Sequence, residues 1–438
     1  MKVRIVSALV ALVSAGIAFG QCPLAFDGSD QALVGVYIAP LNGGAAIADY
    51  NSSRLFIPAS VMKAVTTAAA ICRRGGDYRW ETTVTAQGRI RSGVLDGNIT
   101  ITGSGDPTLG SDQFKTGRQS FLSALKEAAV AKGIDRITGK VDEGKPWPNQ
   151  GPVPSWEIED IPGIDGAGFY TLNYSDNVFV LSYPSMKTYP NVPGIELRYR
   201  GGSGGLRFFR NPGSNEINIY GQLGRRQKRA SMKCSMPNPP AVLLAEADSI
   251  FHSGRKAVSA SSDTLRLLTY RSPELRDVVR SMMIRSDNQM AEATLRLLAP
   301  GESRGAALAA ERSLLTNLGV DLKGARLADG SGLSRHNAIS PVQLASVLKV
   351  MARNGDYVGS FARVGLDGTV KNFMRGIPGR ENFVLKSGSM TGVVCYVGYR
   401  LDPQTKAPTH VIAVMINNAP DPKAARAAIS DLLSETGF

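Results

Sequence analysis

A serine hydroxyl attacks an acyl group only after a neighbouring base has taken its proton. In this chain Ser60 is followed three residues later by Lys63, in the string Ser60-Val61-Met62-Lys63, which puts a base one helical turn away. Two distant strings complement that pair. Ser286-Asp287-Asn288 supplies a second hydroxyl with a nearby amide, and Lys386-Ser387-Gly388, followed by Ser389, supplies a cation and a glycine that permits close approach. Together they make up an acyl-transfer site: a nucleophile with its base, a second hydroxyl with an amide, and a lysine-glycine strand. Lys63 can act as the base only when neutral. At an unperturbed lysine pKa that state costs about 4.6 kcal/mol at pH 7. Burial and a second cation such as Lys386 would reduce the cost.

Each string has decoys. Ser-x-x-Lys recurs at Ser123, Ser253 and Ser346, Ser-Asp-Asn recurs at Ser175, and Lys115-Thr116-Gly117 imitates the third string. Context separates them. Ser60 is expected at a helix start that follows a hairpin, where backbone N–H groups face an approaching anion. Ser123 and Ser346 fall inside amphipathic helical patterns, where such pairs form a solvated edge, and Ser253 falls in a loop. Ser175-Asp176-Asn177 reads as a strand or turn. Ser286 instead interrupts two helical patterns, Glu274 to Ile284 and Gln289 to Leu298.

The elements that must position these residues come from both ends of the chain. Leu33 to Leu41 and Ala45 to Tyr50 flank Asn42-Gly43-Gly44, a hairpin signal. Pro58-Ala59 then opens a helix carrying Ser60 and Lys63. Near the C-terminus, strands are expected through Lys386-Ser387-Gly388, over Val393 to Arg400 and over His410 to Asn417. A helix follows from Pro422 to Leu433. An antiparallel sheet built from both ends with helices against it, an α+β architecture, follows from this order. The middle is rich in short β-like segments, glycine turns such as Gly201 to Gly205, and proline stretches at 146–154 and 237–240. The expected plan is a catalytic domain of residues 21–80 with 263–438, split by a β-rich insertion over 81–262.

Composition narrows the setting. The 438 residues are 43% hydrophobic and 20% charged, as in globular domains. Lys2 and Arg4 precede an apolar run from Ile5 to Phe19, so residues 1–20 read as a secretory signal peptide and the mature chain as a periplasmic protein. No later stretch is long enough to span a membrane, which leaves peripheral association at most. Four cysteines (Cys22, Cys72, Cys234 and Cys395) allow one or two bridges in such a compartment, with the pairing open. Their spacing, and three scattered histidines, match no metal site. Net charge is +13, and the run Arg225-Arg226-Gln227-Lys228-Arg229 lacks the interleaved aromatics of a nucleic-acid site. It reads as a solvated loop, and an anionic cell-wall polymer is the partner that suits an exported basic protein.

With its three strings in this order, the chain resembles the low-molecular-mass class C penicillin-binding proteins, the D-alanyl-D-alanine carboxypeptidase/endopeptidase family. Gly105-Asp106-Pro107-Thr108-Leu109, Asp329-Gly330-Ser331-Gly332-Leu333-Ser334-Arg335 and the long insertion are similar to that family as well. Both glycine strings also read as turn chemistry. Ser387 stands where the family more often has threonine, and it keeps the hydroxyl. The resemblance implies a β-lactamase-like transpeptidase core, an insertion built as two subdomains, and no cofactor. Ser60 would form the acyl-enzyme, Lys63 would be the base, and Ser286 would relay the proton to the departing D-alanine. Asn288 would hold the substrate amide, Lys386 and Ser387 the terminal carboxylate, and the N–H groups of Ser60 and Ser389 the oxyanion beside Gly388. Peptidoglycan stem peptides and cross-links would be substrates, and β-lactams covalent inhibitors. Two other readings share the strings: a class A β-lactamase, whose first two motifs lie much closer together, and a cell-wall-binding protein without activity.

Overall fold

The computed structural model describes residues 22–114, 118–211, 213–251 and 264–436. The expected signal peptide, the Lys115-Thr116-Gly117 string and the Ser253 string lie outside the described residues. Two compact units divide the chain. The first takes the chain up to Gly76, Val279–Asp287 and everything from Leu308 onward, and the second takes Asp77–Val278 with Asn288–Ala307.

The first unit is organised by a six-stranded antiparallel sheet. Its order is Ala362–Arg363, Phe383–Met390, Val393–Leu401, Pro408–Asn417, Leu33–Pro40 and Ala48–Tyr50. Strands from both ends of the chain therefore meet at its middle, with Leu33 opposite Asn417 and Pro40 opposite His410. A strand flanked on both sides and covered on both faces needs a continuous apolar run rather than alternation. The run from Val411 to Ile416 is accordingly buried at every position. The hairpin closes with Val36 opposite Tyr50 and Ile38 opposite Ala48.

The C-terminal helix, Pro422–Glu435, covers this sheet. Asp421 caps it, accepting from Lys423 N at 2.7 Å and Ala424 N at 3.1 Å, and Pro422 occupies the first turn. Ala425, Ala428, Ile429, Leu432 and Leu433 repeat at helical spacing and join the core with Val34, Val36, Ile412 and Val414. A second helix, Met62–Arg74, is buried along most of its length, from Met62 through Ile71. Its alanines leave room for neighbours on all sides, and it stops at Gly75, whose φ is 76°.

Two contacts fix the chain just ahead of that helix. Phe56 packs so close to Gly35 that a Cβ there would come within 2.5 Å of its ring. The side chain of Asn417 then clamps Ile57 from both sides: Oδ1 accepts from Ile57 N at 2.8 Å and Nδ2 donates to Ile57 O at 3.0 Å.

The second unit contains a five-stranded sheet ordered Thr264–Arg271, Glu81–Arg91, Val94–Thr102 and Arg136–Ile137, with Val141–Glu143 also on Val94–Thr102, and two three-stranded sheets. It is β-rich, yet it also holds a helix at Pro239–Ile250. The proline stretch at 237–240 is the start of that helix, with Asn238 as cap accepting from Ala241 N at 3.2 Å. Proline is tolerated there because a first-turn N–H has no helical partner. Arg296 is fully buried and donates to the carbonyls of Asn149, Pro148 and Glu302, while its guanidinium lies 4.6 Å from the Phe169 ring centre.

All four described cysteines are free thiols, so the one or two bridges that the sequence allows are not formed. Among the described residues no helix is long and apolar enough to cross a membrane, and no three His, Cys, Asp or Glu side chains are grouped to hold a metal ion.

Asn417→Leu would leave both the N–H and the C=O of Ile57 without their partner. We expect a loss of about 2–3 kcal/mol in unfolding free energy, measured by denaturant titration. A loss below about 0.5 kcal/mol would mean the clamp carries little.

Candidate active site

Ser60 sits on a 3₁₀ turn, Ala59–Val61, that leads directly into the Met62–Arg74 helix. The regular helix therefore begins two residues after Ser60, later than the sequence pattern implies. The tight turn follows from Ala59, whose φ is 48°, a left-handed conformation that a residue with a Cβ adopts at a cost. Lys63 falls on the first turn of the α-helix, and its Nζ lies 3.0 Å from Ser60 Oγ. The Lys63 side chain is entirely buried and donates to Ser331 O at 2.7 Å.

That carbonyl belongs to the Asp329 to Arg335 string, which is built by its aspartate. Asp329 accepts from Gly332 N at 2.7 Å, Ser334 N at 2.7 Å and Asn337 Nδ2 at 2.7 Å. The loop so folded presents Ser331 O to Lys63 and Gly330 O to the Thr66 hydroxyl at 2.9 Å. Turn chemistry is what this string does, and it positions the lysine. Gly332 is required there: its φ is 82° and a Cβ would lie 1.9 Å from Ala59 O.

Ser286 follows the Leu275–Arg285 helix and takes a φ of 62°. Its hydroxyl accepts from Lys386 Nζ at 2.9 Å. Lys386, also without exposed surface, donates in addition to Ser387 O at 2.7 Å. Burial, and then the charge of Lys63, hold the Lys386 ammonium well below the ordinary lysine value. The structure thus brings Ser60 to Lys63 and Ser286 to Lys386, with the two lysines close enough to repel each other.

Lys386 to Ser389 lie on the strand Phe383–Met390. Its outer neighbour is two residues long, pairing only Ala362 with Leu385 and Arg363 with Val384. Because Val364 N donates to Phe383 O at 2.9 Å, strand alternation turns the N–H and C=O groups of Phe383, Leu385, Ser387 and Ser389 to that outer edge. Among the described residues the edge has no strand partner beyond Leu385, so the Ser389 N–H is unused by the sheet. Gly388 lets the Ala59–Val61 turn come close: a Cβ there would lie 2.6 Å from Pro58 O and 3.1 Å from Val61 N. The Ser387 hydroxyl donates to Thr369 Oγ1 at 2.7 Å, and Arg426 Nη2 donates to Ser389 Oγ at 2.8 Å.

Asn288 is placed differently. It opens the Asn288–Arg296 helix, is grouped with the second unit, and donates to Asp165 O at 2.9 Å. Among the decoys, Ser346 bonds back to Val342 O within its helix and Ser123 is exposed. Ser175-Asp176-Asn177 forms a left-handed turn in which the Asn177 amide is consumed by Gly168 O and Tyr174 N. Thr369, Arg426, Asn417 and the carbonyls of Gly330 and Ser331 were not singled out by sequence. No spacing rule links them to the strings they support.

Because Lys386 has a depressed pKa, the folded state holds that proton less firmly than the unfolded chain does. Its penalty is full at pH values below the folded pKa and fades as pH rises towards the ordinary lysine value. Lys386→Met should therefore unfold at a midpoint no lower than wild type at pH 7, and any advantage should shrink as pH is raised towards 10. Thermal unfolding followed from pH 6 to 10 checks this. A variant less stable at pH 7, with a gap that widens on raising the pH, would refute it.

Residues 24–436 match the model of the D-Ala-D-Ala carboxypeptidase 3 (S13) family. The chain is 27% identical over 400 residues to the D-alanyl-D-alanine carboxypeptidase DacB of Haemophilus influenzae, covering 84% of this chain and 82% of that one. It is 25% identical over 464 residues to the D-alanyl-D-alanine carboxypeptidase of an Actinomadura species, covering 93% and 82%. Among solved structures, penicillin binding protein 4 of Haemophilus influenzae superposes with a TM-score of 0.77 at 25% identity, over 94% of this chain and 96% of that one. The chain belongs to the D-Ala-D-Ala carboxypeptidase 3 (S13) family, as a low-molecular-mass class C penicillin-binding protein and a serine-type D-alanyl-D-alanine peptidase.

Proposed function

We propose that Ser60 is the nucleophile that cleaves the terminal D-Ala-D-Ala bond, or a D-alanyl cross-link, of peptidoglycan stem peptides. The 3.0 Å approach of Lys63 Nζ to Ser60 Oγ, on a lysine with no exposed surface, carries this reading. Neutral Lys63 takes the Ser60 proton as Oγ attacks the carbonyl carbon. The N–H groups of Ser60 and Ser389 receive the oxyanion, a contribution of about 3–4 kcal/mol to lowering the barrier. Ser286, bonded to Lys386, passes a proton to the leaving D-alanine nitrogen, and the acyl-enzyme is released by water. Lys386 and the Ser387 hydroxyl hold the substrate's terminal carboxylate. The open edge beside Ser387 and Ser389 suits an extended peptide, which would pair with it as an added strand. β-Lactams acylate Ser60 by the same attack and remain bound.

The wider setting belongs to the same proposal. Residues 1–20 direct export and the mature enzyme works in the periplasm. Residues 21–80 and 263–438 form the catalytic domain, and 81–262 are its insertion. No metal or organic cofactor takes part.

Ser60→Ala should abolish labelling by fluorescent penicillin and lower D-alanine release from a muramyl pentapeptide by at least about 10⁴-fold. Retained release would remove Ser60 from the mechanism. Gly388→Ala should slow penicillin acylation by about 100-fold, since a Cβ there displaces the turn carrying Ser60 and a shift near 1 Å costs that much. An unchanged acylation rate in a folded variant would contradict the placement.

A further inference from the structure

The first unit holds a groove of about 1440 Å³. It meets the lysine strand at Val384, three residues before Ser387, which is about 10 Å along a strand. Five cations from separate elements line it: Arg280, Lys349, Arg353, Arg363 and Lys406, against the single carboxylate of Asp367. Asp367 answers only part of this charge, lying 3.7 Å from Arg280 and accepting from the Arg363 backbone N–H at 3.1 Å. Lys349 lies over the Tyr37 ring and donates to its hydroxyl at 3.1 Å, and Lys406 donates to Asn382 at 3.0 Å. The Arg353 and Arg363 side chains are exposed and make no hydrogen bond or ion pair among the described residues. His410, also in the groove, is held below its ordinary value by burial and then by Arg400.

Asp402 acts on Lys406, yet the excess of positive charge in this one concavity still selects an anionic ligand, and guanidinium forks match carboxylates in pairs. The volume exceeds what one small anion fills. We propose that this groove is an exosite for polymeric peptidoglycan, binding carboxylates of stem peptides adjacent to the one being cut. This rests on the substrate reading above. Strand geometry places the groove within a peptide's length of the carboxylate grip. The exosite holds the enzyme on the polymer between cleavages and adds nothing to attack on a small soluble peptide.

The test separates the two readings. In a Ser60→Ala background, which leaves the polymer intact, the mature chain should co-sediment with purified sacculi at low salt and be released as salt rises. Adding Arg353→Glu and Arg363→Glu should weaken that binding about tenfold or more. With Ser60 present, the same charge reversals should leave kcat/KM on a soluble pentapeptide within about twofold of wild type. Sacculus binding equal to the parent's would overturn the exosite while leaving the catalytic reading intact. So would retained sacculus binding with lost sedimentation on phosphatidylglycerol vesicles, which would make the groove a lipid-headgroup site. Equal loss of soluble-peptide turnover would overturn it too, by placing the groove inside the catalytic machinery.

Discussion

Two lysine side chains with no exposed surface stand close enough to repel each other, and the rest of the first unit is arranged around that fact. A buried ammonium without partners is prohibitively costly. Here carbonyls and hydroxyls meet the two ammonium groups: Ser331 O and Ser60 Oγ are among the partners of Lys63, and Ser387 O and Ser286 Oγ accept from Lys386. Burial, and then the charge of Lys63, lower the proton affinity of Lys386.

Holding the two hydroxyls in place requires backbone that ordinary sequence would avoid. Ala59, directly before Ser60, and Ser286 itself have φ values of 48° and 62°. Such conformations cost of order 1–3 kcal/mol each and persist where the surroundings overdetermine them. Around Ala59 those surroundings are specific. Asn417 clamps Ile57, Gly388 admits the turn against the lysine strand, and Gly332 admits Ala59 O from the opposite loop. The sheet contributes by stopping short, since its outer strand ends at Arg363 and leaves the edge beside Ser387 and Ser389 open.

The second unit uses comparable polar wiring for structure. Asp106 accepts from both the backbone and hydroxyl of Thr108 within a turn, and burial still pushes its carboxyl up to about 6. Arg296 spends its donors on three loop carbonyls. Strongly perturbed groups therefore occur in both units, and only geometry separates a perturbed group with a reacting partner from one that braces a loop.

Much of this was legible in the sequence because it is local. The hairpin about Asn42-Gly43-Gly44, the apolar run at Val411 to Ile416 and the capped helix after Asp421 follow from turn, burial and capping chemistry over a few residues. The spacing of Ser60 to Lys63 likewise fixes a hydroxyl and an amine on one turn. What the sequence alone left to context was which copy of each string matters. Ser175-Asp176-Asn177 and Ser286-Asp287-Asn288 have the same letters. One closes a left-handed turn with its amide spent on neighbouring backbone, while the other ends a helix with its hydroxyl on a lysine one hundred positions away. The helix at Pro239, the 3₁₀ turn at Ser60 and the supporting roles of Asn417, Thr369 and Arg426 were likewise settled by the fold. Those residues act through contacts between segments far apart in the chain, and neither spacing nor propensity encodes such contacts.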